Sequence, residues 1–121
     1  MKIENTGIEG KIVDLKPLDH LMDKVHFVRA GQWDYERVTY DYKIGSAEEN
    51  ITYYVRVQGY ALEGDVDRGD AVIKLLTPLI GKHYYPHGVE YGEKEEFPDS
   101  IIDRATTLLT NAKNEIDKYK K

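Results

Sequence analysis

Ala30-Gly31-Gln32-Trp33-Asp34-Tyr35-Glu36-Arg37-Val38-Thr39-Tyr40-Asp41-Tyr42-Lys43-Ile44 decides the fold. In its second half Val38, Tyr40, Tyr42 and Ile44 alternate with Thr39, Asp41 and Lys43. That is the period-two pattern of a strand with one buried and one wet face. The stretch also holds the single Trp and three of the ten Tyr. Gly31 predicts a bulge or a close backbone approach in the strand expected over 26–35. Without a bulge Trp33 shares the face of Phe27 and Arg29; with one it joins Val28 and Ala30. A tight turn at 34–37 then leads into the strand 37–44.

Working toward the N-terminus, residues 8–15 read as a strand. Pro17 suits the first turn of a short helix over 17–25, where Leu18, Leu21, Met22 and Val25 recur at helical spacing. Toward the C-terminus, residues 45–50 form a polar hairpin loop. The strand 51–62 follows, alternating Ile51, Tyr53, Val55 and Val57 against Thr52, Tyr54, Arg56 and Gln58. Gly59 is a second candidate bulge. An acidic turn at 64–70 precedes a strand at 71–77. From Pro78 to Phe97 no period is visible, which predicts a long irregular connection, functional or loosely ordered. Pro98-Asp99-Ser100 opens the last helix, with Asp99 or Ser100 as the expected cap. Its stripe is Ile101, Ile102, Ala105, Leu108, Leu109, Ala112, Ile116 and Tyr119. Its acids lie early, and Lys118, Lys120 and Lys121 lie at its end, matching the helix dipole. Burying its five Ile and Leu is worth on the order of 10 kcal/mol gross, so the helix should lie flat on the sheet.

The expected fold is α+β in the order β-α-β-β-β-β-α. Both helices cover one face of a five-stranded antiparallel sheet, and the other face stays partly open. That order is the topology of the TATA-binding-protein-like and helix-grip folds, a likeness that implies no function.

With 121 residues the chain is expected to be one domain, 1–121. It contains no Cys, which excludes disulfides, thiolate metal sites and a thiol nucleophile. The opening M-K-I-E-N-T-G-I-E-G lacks the apolar core of a signal peptide, and no apolar run approaches a membrane span. A cytoplasmic protein with no membrane association is expected. In that setting the sequon Asn50-Ile51-Thr52 and the tripeptide Arg68-Gly69-Asp70 carry no meaning. A net charge of −5 argues against binding nucleic acid.

Several residues invite a functional reading. His83 and His87 are four apart, a metal-ligand spacing on a helix, but Pro86 between them argues against a helix. His20 and His26 would have to join them through the fold, so histidines on the surface or in hydrogen bonds are the expectation. Asp65–Asp70 resembles the start of a calcium loop. Its sixth position is Asp70 and its twelfth Leu76, where Gly and Glu are required, so it reads as a solvated turn. Glu93, Glu95, Glu96 and Asp99 could pair for acid–base chemistry, yet a run of acids on a loop is ordinarily just hydrated. Nucleophile-elbow, phosphate-loop and dinucleotide motifs are absent. Tyr40, Tyr42 and Tyr53 should face the core, reaching a hydroxyl partner at its rim. The alternative is an aromatic-walled cavity between sheet and helices, lidded by 78–97 with Tyr84, Tyr85 and Tyr91. The open face should carry Thr39, Asp41, Lys43, Thr52, Tyr54, Arg56, Gln58, Val72, Lys74 and Leu76, with Asp41 pairing Arg56 or Lys74.

The chain resembles the YugN-like family of small bacterial proteins. The likeness runs through Gly7-Ile8-Glu9-Gly10, Ala30–Tyr35 with Tyr40-Asp41-Tyr42, and Thr52-Tyr53-Tyr54-Val55-Arg56. It continues through Val72–Lys74, Thr77-Pro78, His83-Tyr84 and Phe97-Pro98. The resemblance implies the fold and a bacterial cytosolic setting; it implies no catalytic residue, metal or cofactor. Together these features predict a non-enzymatic binding or protein-interaction module, homodimeric through its open face or an edge strand. The competing expectation is a small-molecule binder or enzyme built on the aromatic cavity.

Overall fold

The computed structural model describes residues 1–31, 34–45, 51–84, 88–93 and 95–119. Gln32, Trp33, residues 46–50, Tyr85-Pro86-His87, Lys94 and Lys120-Lys121 lie outside the described residues. The expectations for Trp33 and His87 fall there.

The elements are β1 (Ile12–Asp14), α1 (Leu15–Lys24), β2 (Val28–Arg29), β3 (Arg37–Gly45), β4 (Ile51–Glu63), β5 (Val72–Leu75), β6 (Leu79–Tyr84), β7 (Val89–Glu90) and α2 (Asp99–Tyr119). They form one antiparallel sheet in the order β1-β5-β4-β3-β2, with β6 on β4 and β7 on β6. β4 is long enough to hold two partners end to end on one side. Its first half, Ile51–Arg56, pairs with β6 and its last part, from Gly59, with β5.

The α+β class and the antiparallel sheet are as the sequence predicts, and the strand count is not. The connection expected to be irregular contributes β6 and β7, making seven strands rather than five. Period failed there for a specific reason. Lys82 stands opposite Tyr53, on the helix-side face, where its ammonium reaches the Glu96 carbonyl at 3.3 Å. Gly81 occupies the alternate face, so neither set of positions reads as apolar.

Two other boundaries move. The strand expected over 26–35 shrinks to Val28–Arg29 because α1 ends in a left-handed cap. His26 has φ +68, its N–H bonds the Asp23 carbonyl, and the Phe27 N–H bonds that of Met22. The bulge expected at Gly59 lies between Ala61 and Glu63 instead. Gly59 serves close approach: a Cβ there would stand 2.4 Å from Ile73 Cγ2. α2 begins at Asp99, and the Pro98 carbonyl accepts its first bonds, so Asp99 lies in the first turn rather than capping it.

The register separates the two faces of the sheet. Val38↔Gly59, Tyr40↔Val57, Tyr42↔Val55 and Ile44↔Tyr53 look toward the helices. Leu15, Leu18, Leu21 and Met22 of α1 and Ala105, Leu108, Leu109, Ala112 and Ile116 of α2 close over them. On the other face stand Thr39↔Gln58, Asp41↔Arg56, Lys43↔Tyr54 and Gly45↔Thr52. No helix among the described residues is long and apolar enough to cross a membrane.

Candidate functional site

The space between sheet and helices is filled. Tyr40, Tyr53, Val55, Val57, Ile73, Leu75, Ile80 and Leu109 are all buried within one apolar cluster. Tyr40 reaches the rim as expected: its hydroxyl donates to Asp19 Oδ1 at 2.5 Å, and Asp19 Oδ2 also accepts from Arg29. Burial and then the Asp19 bond push this phenol far above its ordinary pKa. Tyr53 packs against Phe97, ring centroids 5.9 Å apart. Tyr42 packs against Phe27. The Tyr40 and Tyr53 rings are core, whereas Tyr42, half-buried at its edge, also lines a surface groove.

The connection expected as a lid is divided: Phe97 covers Tyr53 on the helix side, and Tyr91 does not. Tyr91 sits on the opposite face of the sheet, against Gly81, where a Cβ would meet its ring at 2.5 Å. The Arg56 guanidinium stands 4.6 Å from the same ring's centroid. Arg56 also makes paired bonds to Asp41, 2.8 and 3.0 Å, across the β3–β4 ladder. The Asp41 bond raises the Arg56 pKa further. Lys74 pairs instead in the row Tyr60–Lys74–Ile12. Among the described residues the Tyr91 hydroxyl is buried without a hydrogen-bond partner, and burial pushes it up to about 12. The Tyr91 carbonyl accepts from the Met1 nitrogen at 2.5 Å, and Glu93 Oε1 accepts the Lys2 N–H at 3.0 Å. The wet face is therefore partly strapped at the β6 side. Gly81 was the available signal for this strap, since a glycine inside a strand marks close approach; the missing period hid the strand itself.

The remaining acids and histidines do not converge. Asp65 Oδ1 accepts the Asp67 N–H, and Asp70 Oδ1 accepts that of Asp65, so these acids tie down their own turn. Glu93 and Asp99 serve a backbone N–H and a helix first turn. His83 is on β6 opposite Thr52 and Val89, while His20 is on α1 and His26 follows that helix. Among the described residues, no group of three His, Asp or Glu is placed to hold a metal.

The surface best shaped for recognition lies at the β1 edge. A groove of about 580 Å³ runs between β1 and the end of α2, lined by Lys11, Ile12, Val13, Ile116, Asp117 and Tyr119 among others. Ile12 is 59% exposed there, while Val13 and Ile116 form a buried floor. The ladder fixes which backbone groups look outward. Lys11 and Leu15 bond β5-side partners, the Lys11 carbonyl to Leu75 N–H and the Leu15 N–H to the Ala71 carbonyl. In an antiparallel ladder these bonds fall on alternate residues, so Ile12 directs its N–H and C=O groups away from β5. Asp117 clips the helix to this edge, bonding Lys11 at 2.5 Å and Lys113 at 2.9 Å. Those two bonds hold its carboxyl down to about 2.

This is a two-layer α+β domain with both helices on one face of an antiparallel sheet. The chain belongs to the YugN-like family, which matches residues 3–118. It is 53% identical over 114 residues to the uncharacterized protein YlbA of Bacillus subtilis, covering 94% of this chain and 93% of that protein. Similarity to YugN of the same organism is 25% over 85 residues, 70% of this chain and 62% of that one. Among solved structures, YugN from Geobacillus kaustophilus matches with a TM-score of 0.83 and 54% identity, over 98% of this chain and 96% of that one. The family expected from the sequence is thus shown, and none of these relatives carries a described activity.

Proposed function

We propose that this chain is a non-enzymatic interaction module that pairs with a second copy of itself through the β1 edge. The observation that carries it is Ile12, exposed on the edge strand beside the β1–α2 groove with its backbone turned away from β5. An edge strand with unpaired groups is a template for another strand, and natural sheets ordinarily blunt such edges. Here the edge carries an exposed Ile rather than a Lys. A two-fold axis through Ile12 sets Ile12 opposite its own mate and keeps like faces on the same side. Both sheets then become continuous, and the apolar residue gains an apolar neighbour.

Size-exclusion chromatography with light scattering tests this. The expected mass is twice 14.0 kDa at high protein concentration. Ile12→Lys is expected to give a folded monomer whose thermal midpoint no longer rises with protein concentration, because the side chain is exposed in the single chain. A wild-type chain that stays monomeric at hundreds of micromolar overturns the proposal.

A further inference from the structure

A second groove lies on the helix side of the molecule, away from the β1 edge, where the end of α1 meets the flank of α2 over β3. It spans about 490 Å³. Its polar lining follows from helical spacing. Arg104, Asn111, Glu115 and Lys118 recur three, four or seven apart and so share one flank of α2. α1 supplies Lys24 from its last turn and His26 from the residues that cap it.

The charge of this groove opposes that of the chain. The whole molecule carries −5. The groove gathers Lys24, Arg104 and Lys118 against one acid, Glu115, with neutral donors from Asn111 and Asn114. Glu115 is shared: Lys24 bonds its Oε2 at 3.2 Å and Lys118 its Oε1 at 3.3 Å. One carboxylate between two ammonium groups leaves an excess of positive charge. Both bonds lower the Glu115 pKa, so that carboxylate stays ionised and holds the two lysines in place. Arg104 adds a further cation, held among the described residues by a 3.4 Å bond to the Tyr42 hydroxyl. A bond of that length leaves most of the guanidinium's donors for another acceptor.

Two more features favour a ligand. The negative end of the α1 dipole, which would repel an anion, is already covered. The His26 and Phe27 N–H groups take the last-turn carbonyls of Asp23 and Met22. His26 itself holds φ +68, a conformation that glycine adopts without strain. That cap conformation places the imidazole beside the groove. Below the polar groups, Val25, the Tyr42 ring and Leu108 make an apolar floor.

We infer that this groove binds a small organic anion. A carboxylate or phosphate head would lie among Arg104, Lys24, Lys118 and the two asparagine amides, with an apolar body on Tyr42, Val25 and Leu108. Guanidinium and ammonium groups with amide donors suit an oxyanion of either kind, and a partly enclosed site strengthens each such bond. The site is independent of pairing at the β1 edge, so either proposal can fail alone.

Backbone amide shifts in a two-dimensional NMR titration test it, using phenyl phosphate, benzoate, inorganic phosphate and neutral phenol as probes. Saturable shifts confined to residues 24–26, 42 and 104–118 are expected for the two aromatic anions. Inorganic phosphate is expected to bind at least tenfold more weakly and phenol without saturation. The stronger of phenyl phosphate and benzoate identifies the head group. Arg104→Glu, on an exposed helix position, should weaken both anions at least tenfold while the spectrum elsewhere keeps its folded dispersion. Asn111→Asp, also exposed, should do the same by a separate route. Absence of saturable shifts at tens of millimolar, equal binding of phenol, or unaltered affinity in both variants overturns the inference.

Discussion

The two faces of this sheet are held by different physics. On the helix side, apolar side chains from β3, β4, β5 and β6 meet two amphipathic helices, and order follows from burial. On the other side, Asp41, Arg56 and Tyr91 form a short polar and aromatic chain on top of the same strands. The first face tolerates little change in volume because its interior is close-packed. The second can shed a side chain into water at small cost. The same kind of substitution should therefore have unequal effects on the two faces, and paired substitutions are the way to break the distinction.

The largest effect belongs to the covered face. Leu109 is fully buried on α2. Leu109→Ala should destabilise the fold by about 2–5 kcal/mol through lost burial and the cavity left behind. Urea denaturation monitored by circular dichroism measures it. A loss below about 1 kcal/mol would mean that α2 rests on the sheet loosely and that the two faces differ less than their packing implies.

A glycine pair sharpens the comparison. A Cβ at Gly59 would meet Ile73 Cγ2 at 2.4 Å and the Lys74 carbonyl at 3.0 Å, both fixed in the core. Gly59→Ala should cost about 1–3 kcal/mol from overpacking. A Cβ at Gly81 meets the Tyr91 ring at 2.5 Å, but that ring can swing outward. Gly81→Ala should cost no more than about 1 kcal/mol, the scale of the lost cation–π contact with Arg56. It should also raise hydrogen exchange at Tyr91 and Gly92 without affecting β3. Equal losses for the two variants would show the strap to be as rigid as the core.

A tyrosine pair asks the same question of hydroxyls. Tyr40 donates to an ionised Asp19, so Tyr40→Phe should cost about 1.5–3 kcal/mol. The Tyr91 hydroxyl is buried with no acceptor among the described residues, so Tyr91→Phe removes an unmet polar group. It should be neutral within about 0.5 kcal/mol or slightly stabilising. A marked loss at Tyr91 would reveal a partner for its hydroxyl and make the wet face a true polar network.

The same difference explains what the sequence made legible. The covered face is written as period: Val38-Thr39-Tyr40-Asp41-Tyr42 and Ile51–Gln58 alternate, and the α2 stripe recurs at helical spacing. Those residues alone indicate the central strands and the last helix, and they offer Asp41 either Arg56 or Lys74, a choice the structure makes for Arg56. Gly81 and Lys82 broke the alternation in β6, and the strand with its Tyr91 strap went unread. The groove residues were equally silent. Lys24, His26, Arg104 and Lys118 are separated along the chain and share no motif; only the meeting of two helix flanks brings them together. At the β1 edge, Ile12 read as one more strand residue until the ladder showed which way its backbone points.

The smallest predicted effect lies where the covering helix is clipped to the sheet's edge. Asp117 accepts from Lys11 beside β1 and from Lys113 one turn earlier on α2. Its carboxyl is lowered from 3.8 to about 2, first by the Lys11 bond and then by that of Lys113. A depressed carboxylate stabilises the fold fully above its unfolded pKa, and the contribution disappears as pH falls through the folded value. The relevant window is therefore between 3.8 and about 2. Asp117→Asn should be slightly less stable than wild type at about pH 5, with the gap in urea midpoint closing toward about pH 2. Glu115, also lowered, is present in both proteins and so drops out of the difference. A gap that stays constant across the window would mean that the clip acts through packing of the Lys11 and Lys113 stems rather than through charge. The edge groove would then owe its shape to the apolar contacts beneath it.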